Sequence, residues 1–182
     1  MKYSLNWLTK EIENDLQPEY LFFWGHSQKV AGITDKSCFS QWWPSPFIVD
    51  GTTYPTAEHW MMAKKALLFN DVESFDLIIA ANKPAIAKDL GRKVKNFNTD
   101  IWNAKAFDLV TAGNLHKFSQ HEDLKKFLLS TGNKILVEAS PVDFIWGIGL
   151  SQDAKDAYNP FKWKGPNLLG FALMEVRDAL KK

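Results

Sequence analysis

The chain reads as an α+β protein, helix-rich and built on a small β-sheet, and three observations predict it. Apolar residues at helical spacing fill most of its length and follow side chains that start helices. Strand patterns are few: the aromatic run Tyr20–Trp24, the pair of short segments between Phe47 and Tyr54, and the apolar run Ile135–Ala139, with Ser140–Gly149 reading as loop or strand. No internal repeat, low-complexity tract or shift of composition divides the 182 residues, so one domain spanning 1–182 is expected.

Each element has a local reason. Leu5, Leu8, Ile12 and Leu16 fall on one helical stripe, which predicts a short amphipathic helix within Ser4–Asp15, closed before Pro18. A polar loop from Gly25 to Lys36 follows the first strand, with Gly25 and Gly32 as breakers. Asp50-Gly51 between two strand-forming segments is a two-residue hairpin turn, because both central positions need positive φ. Thr56 caps a helix to about Phe69, with Glu58 in its first turn, and Asp71 caps the next, Val72–Ala81. Pro84 opens a helix to Lys93, where its missing N–H costs nothing. Thr99 starts a long helix to about Ser119, and Glu122–Thr131 forms another, stopped by Gly132. After a Pro/Gly-containing polar loop over 153–167, Leu168–Leu180 closes the chain as a helix.

The apolar fraction of 46% and the charged fraction of 24% are those of an ordinary globular protein. A net charge of +1 argues against an electrostatic grip on long nucleic acid. Lys83, Lys88, Arg92, Lys93 and Lys95 cluster, but such a cluster reads first as a solvated helix face. One cysteine, Cys38, forms no internal disulfide, and no opening signal-peptide pattern or long apolar segment is present. A cytoplasmic protein with no membrane association is expected. The four histidines lack metal-ligand spacing, and no phosphate-loop or dinucleotide motif occurs, so neither a metal nor a cofactor is expected.

Eight tryptophans and thirteen phenylalanines are a heavy aromatic load. Any single ring is core filler by default, yet tryptophan also lines pockets that stack planar ligands. The densest stretch is Ser40-Gln-Trp-Trp-Pro-Ser-Pro-Phe47 followed by Tyr54-Pro-Thr-Ala-Glu-His-Trp-Met-Met-Ala-Lys-Lys65. Aromatic rings, a carboxylate and two lysines around one hairpin and one helix suit a site that holds a flat ring and a sugar and attacks the bond joining them. Glu58 and Lys65 are two turns apart on one face, roughly 10 Å along the axis, too far for a direct ion pair. From spacing alone, two surface charges is the plainer reading. The apolar run around them favours burial, which raises a carboxyl's proton affinity and lowers a lysine's. Asp143-Phe-Ile-Trp-Gly147 is a second candidate, with Gly147 permitting close approach; an Asp capping its own backbone is the plainer reading. Asn167, in Trp163-Lys-Gly-Pro-Asn167, could read a ligand edge or simply form a turn.

These residues resemble the NADAR family. The matching pieces run in order from Phe22-Phe-Trp-Gly25 through Phe39-Ser-Gln-Trp-Trp-Pro44, Tyr54-Pro-Thr-Ala-Glu-His59 with its helix to Lys65, and Ala87-Lys-Asp-Leu-Gly-Arg92. Lys117-Phe-Ser-Gln120, Leu136-Val-Glu138, Asp143-Phe-Ile-Trp-Gly147 and Asn167-Leu-Leu-Gly170 continue it, and Leu173-Met-Glu-Val-Arg177 ends it. The resemblance implies cleavage of an N-glycosidic bond between a base-like amine and a ribose phosphate or ADP-ribose. It places the acid at Glu58 and the amine at Lys65, with Asp143, Trp146 and Asn167 at pocket positions; Gly147, beside Trp146, is a further substrate-contact candidate. The chain departs from many members in having Met61-Met62-Ala63-Lys64 where Phe-Gln-Ala-Gln is common, which removes two amide side chains.

Two routes follow. Glu58 activates water for attack on C1 of the ribose, or a lysine attacks the ring-opened sugar and forms a Schiff base. Lys65 is the first choice for that amine, with Lys29 and Lys36 behind it. Trp42, Trp102 or Trp146 would stack the base or adenine, and Arg92 would meet a phosphate. The expected partner is a nucleotide-like small molecule or ADP-ribosylated guanine in single-stranded nucleic acid. Phosphorylated ribosylamino-pyrimidines of riboflavin synthesis are the alternative substrate. A non-catalytic module binding ADP-ribose is the alternative of a different class.

Overall fold

The computed structural model describes residues 1–28, 30 and 32–181. The elements in chain order are α1 (Leu5–Glu13), β1 (Tyr20–Phe23), β2 (Phe47–Val49), β3 (Thr52–Tyr54), α2 (Ala57–Leu68), α3 (Val72–Ala80), α4 (Pro84–Gly91), α5 (Thr99–Gln120), α6 (Glu122–Ser130), β4 (Ile135–Glu138) and α7 (Leu168–Leu180). Single 3₁₀ turns lie at Lys36–Phe39 and Pro160–Lys162. This is the expected helix-rich α+β architecture. Among the described residues no helix is long and apolar enough to cross a membrane.

The chain forms two compact units. The first joins Met1–Ser40 to the chain from Asp123 on. Its centre is the parallel pair β1–β4, in register Tyr20↔Ile135 to Phe23↔Glu138. The last ladder bond, Ala139 N–H to the Phe23 carbonyl at 2.9 Å, ends β1 one residue before Trp24. Ile135, Leu136 and Val137 are buried, and α7 packs on them with Leu169, Phe171, Ala172, Leu173 and Val176 buried. The approach leaves no room for a side chain at Gly170, where a Cβ would sit 2.1 Å from the Leu136 carbonyl oxygen. Gly170→Ala must push α7 off β4, costing about 3 kcal/mol by overpacking. We expect a melting midpoint roughly 6–12 °C lower by calorimetry.

Side chains cap the helices largely where the sequence expects. Ser4 accepts from the Trp7 N–H at 3.0 Å, and α1 ends before Asp15, which takes a left-handed φ of 71°. The Lys36–Phe39 turn has no strong sequence signal. It is set by Asp35, which accepts from the Ser37 N–H at 2.8 Å and from its hydroxyl.

The second unit spans Gln41–Glu122. The β2–β3 hairpin turns through Asp50 and Gly51, at φ 49° and 78°, as the two-residue turn requires. Its cross-strand pair Phe47–Tyr54 stacks at 5.7 Å and leans on Trp60 of α2. Thr56 caps α2, accepting from the His59 N–H at 3.4 Å. Asp71 caps α3 through the Ser74 N–H and hydroxyl and also accepts from the Lys95 N–H at 2.8 Å. These bonds hold its carboxyl below the usual range. Helix α4 ends at Gly91 rather than at Lys93, and the Gly91 carbonyl accepts from the Lys65 side chain at 2.8 Å. Met62 fills the space beside Gly91, where a Cβ would meet its sulfur at 2.0 Å.

Candidate active site

Helix α2 carries both Glu58 and Lys65. From Ala57 to Ala63 every residue is buried, so a carboxylate in its first turn is buried with it. Glu58 is 5% exposed, and its N–H donates to the Gln41 carbonyl at 2.9 Å, pinning the helix start to the segment before the hairpin. The N-terminal end of a helix dipole favours a negative charge there.

Lys65 lies two turns on, at the other end of the same helix. Its amine donates to the Gly91 carbonyl and sits 4.1 Å from the Phe97 ring centre and 5.6 Å from that of Trp102. Burial lowers its pKa from that of an ordinary lysine. A carbonyl accepts from an amine in either protonation state, so the neutral amine keeps this bond with its lone pair free. Lys65 and Trp102 are therefore brought together. Trp42 is half-buried, with the Lys88 ammonium 5.9 Å from its ring centre. Arg92 is exposed at the end of α4 and pairs with Asp89 at 3.2 Å, a surface ion pair.

His59, next to Glu58, is 1% exposed. Its Nε2 lies 3.0 Å from the Ala81 carbonyl, which only accepts, so Nε2 carries the proton and Nδ1 accepts from the Thr56 hydroxyl at 2.8 Å. Burial holds its pKa below the ordinary value of 6.5. The unfolded chain therefore takes up the proton first, and stability present above about pH 6.5 is lost as pH falls through the depressed value. Thermal melts between about pH 7.5 and 5 should show this as a falling midpoint, roughly 2–4 °C for each kcal/mol lost. His59→Gln should flatten it.

In the first unit, Asp143 organises its own loop. Its Oδ1 accepts from the N–H groups of Ile145 at 2.9 Å, Trp146 at 2.7 Å and Gly147 at 3.4 Å. Trp146 is half-buried on that loop. Gly147 passes so close to Glu138 that a Cβ would lie 2.8 Å from its carbonyl oxygen. Asn167 is fully buried at a left-handed φ of 57°. Its Oδ1 accepts from the Glu138 N–H and its Nδ2 donates to the Leu136 carbonyl, both at 2.9 Å. The amide thus extends the edge of β4 and ties it to the start of α7. Lys36, also in this unit, donates to the Phe22 carbonyl at 2.6 Å and to Gln152 at 3.0 Å. Lys29 lies outside the described residues.

Beside Glu58 lies an arrangement that no sequence motif announces. Asn114, fully buried in the middle of α5, gives its Nδ2 protons to the Val110 carbonyl and to Gln41 Oε1, both at 2.9 Å. Gln41 is the residue whose carbonyl holds Glu58. An asparagine inside a long helix is unfavourable unless it has such partners, and that was the available signal. Among the described residues no group of three His, Cys, Asp or Glu side chains is arranged to hold a metal. Cys38 is buried and forms no disulfide.

A buried carboxylate and an amine partly desolvated by burial thus lie two turns apart on one helix, with aromatic rings beside the amine. The chain belongs to the NADAR domain family, whose model matches residues 22–181. It is 48% identical over 165 residues to N-glycosidase R617 of Acanthamoeba polyphaga mimivirus, covering 88% of this chain and 95% of that one. It is 30% identical over 171 residues to N-glycosidase YbiA of Escherichia coli K12, covering 94% of each. The fold is similar to the NMR structure of the E. coli protein YbiA, with a TM-score of 0.72 and 30% identity over 91% of this chain and 87% of that one.

Proposed function

We propose that this protein is an N-glycosidase that breaks the bond between ribose C1 and a base-like amine, with ADP-ribosylated guanine as its substrate. The observation that carries the reading is α2: a buried Glu58 and a desolvated Lys65 on one helix, in a chain whose relatives along nearly its whole length are named N-glycosidases. An acid and an amine are the groups that N-glycoside cleavage through a lysine adduct requires.

In the proposed reaction the ribose ring opens as its ring oxygen takes a proton, leaving C1 double-bonded to the nitrogen of the base. The neutral Lys65 amine adds to C1, and the base leaves as its free amine, taking a proton relayed by Glu58. Water then adds to the Lys65 Schiff base, and its hydrolysis returns the amine and releases the sugar aldehyde, which recloses. Leaving the Gly91 carbonyl costs about 1 kcal/mol, that of one hydrogen bond. Trp102, beside Lys65, would stack a planar group of the substrate. Asp143, by ordering its loop, would present Trp146, and Asn167 would act through β4. Arg92 would meet a phosphate only by giving up Asp89.

The test is product release from three substrates: guanine-ADP-ribosylated single-stranded DNA, ADP-ribosylated guanosine, and a phosphorylated ribosylamino-pyrimidine. Release of ADP-ribose from the first two is expected. Cleavage of the pyrimidine alone would make it a metabolic N-glycosidase. ADP-ribose binding with no turnover on any of the three would make it a binding module.

A further inference from the structure

The first unit contains a cavity of about 620 Å³ lined by none of the residues invoked above for catalysis. One wall comes from Tyr3, Trp7 and Glu11, before the segment that matches the family model. The others come from the corner between α6 and β4 and from α7 at Arg177 and Asp178. The volume is that of an ordinary small-molecule site.

Its lining has three parts. Tyr3 and Trp7 meet edge to face, centroids 4.7 Å apart, and the Tyr3 hydroxyl donates to Asp178 at 2.7 Å, so the aromatic wall is held in place. Arg177 is 2% exposed, and its Nη1 donates to Thr131 Oγ1 at 2.9 Å and the Lys134 carbonyl at 2.8 Å. Both partners are neutral, and among the described residues no carboxylate lies within ion-pair distance of it and its Nε has no hydrogen-bond partner. A buried guanidinium with an unused donor calls for a further acceptor. Glu11, half-buried in the same wall, and Glu19 supply acceptors without donors.

Charge narrows the occupant. Asp178 pairs with Lys2 and Glu19 with Lys134 at 3.9 Å, so Glu11 and Arg177 are the opposite charges left facing the cavity, and a bare anion or a bare cation would answer only one of them. An uncharged ring with acceptors on one edge and donors on another satisfies both. We propose that this cavity is a second small-molecule site, taking an uncharged planar heterocycle of the nucleoside class. The ring packs on Trp7, its N–H edge donates to Glu11, and a ring carbonyl or nitrogen answers Arg177. The site stands whatever glycoside the enzyme cleaves.

Isothermal titration of the full-length chain with guanosine, cytidine, benzoate and spermidine tests it, on the wild type, Trp7→Leu and Glu11→Ala. Saturable nucleoside binding is expected, weakened about 5- to 100-fold by Trp7→Leu if stacking on single-stranded bases is a guide. Glu11→Ala, at a half-buried surface position, should weaken it too, and both variants should keep wild-type turnover. Three outcomes overturn the proposal: no saturable nucleoside binding, nucleoside binding unchanged in both variants, or tighter binding of benzoate or spermidine than of either nucleoside.

Discussion

Glu58→Gln is expected to lower turnover about 10²- to 10⁴-fold, the usual contribution of a positioned acid–base group. The substitution keeps the size of the side chain and removes only its charge and its capacity to exchange a proton. The N–H of residue 58 still donates to the Gln41 carbonyl, and the Thr56 cap is untouched, so α2 starts where it did. A calorimetric melt of the variant checks that the fold is kept. Single-turnover release of the base, measured beside binding of ADP-ribose, separates the two effects. Undiminished release by Glu58→Gln would remove Glu58 from the chemistry. Loss of release with binding retained is the result the proposed reaction requires.

Lys65→Arg is expected to lose turnover at least as severely, although it keeps a cation at the end of α2 and a donor for the Gly91 carbonyl. Arginine stays protonated and offers no lone pair, so it can hold the fold but cannot form the Schiff base. Wild-type protein treated with cyanoborohydride during turnover should gain the mass of the reduced sugar on the peptide containing Lys65, and Lys65→Arg should gain none. An adduct that persists in Lys65→Arg would move the nucleophile elsewhere, and peptide mapping would show whether to Lys36 or Lys29. The pH dependence offers an independent check. Burial lowers the Lys65 pKa, so the rising limb of the rate profile should have its midpoint below the 10.5 of a free lysine. The folded chain holds this proton less tightly than the unfolded one, so stability should increase as pH rises through the lowered value toward 10.5. Lys65→Met should remove that increase.

The elements with local causes were legible in the sequence. Thr56 and Asp71 cap where they were expected to, the Asp50-Gly51 turn has its two positive φ angles, and α7 spans the expected residues. Capping, turn geometry and helical period depend on neighbours within a few residues, which a sequence displays directly. The burial of Glu58 was legible too, because an almost unbroken apolar run surrounds it on α2. Asn167 was not. Read as a possible ligand-reading residue or a turn, it spends both ends of its amide on Leu136 and Glu138, about thirty residues earlier in the chain. Nothing near Asn167 in the sequence announces those partners.

The sequence by itself determined the helices and their caps, the hairpin, and the placing of a carboxylate and an amine on one face of α2. It also carried the family, through short motifs in a fixed order. Tertiary structure alone decided that β1 pairs in parallel with β4, since two short apolar strands more than a hundred residues apart specify neither partner nor direction. It decided that the Lys65 amine lies against Gly91, Phe97 and Trp102, and that Asn114 steadies the segment holding Glu58. The reason is the same in each case. Hydrogen bonds and desolvation act over a few ångströms in space, and the chain brings those groups together only once its helices have packed.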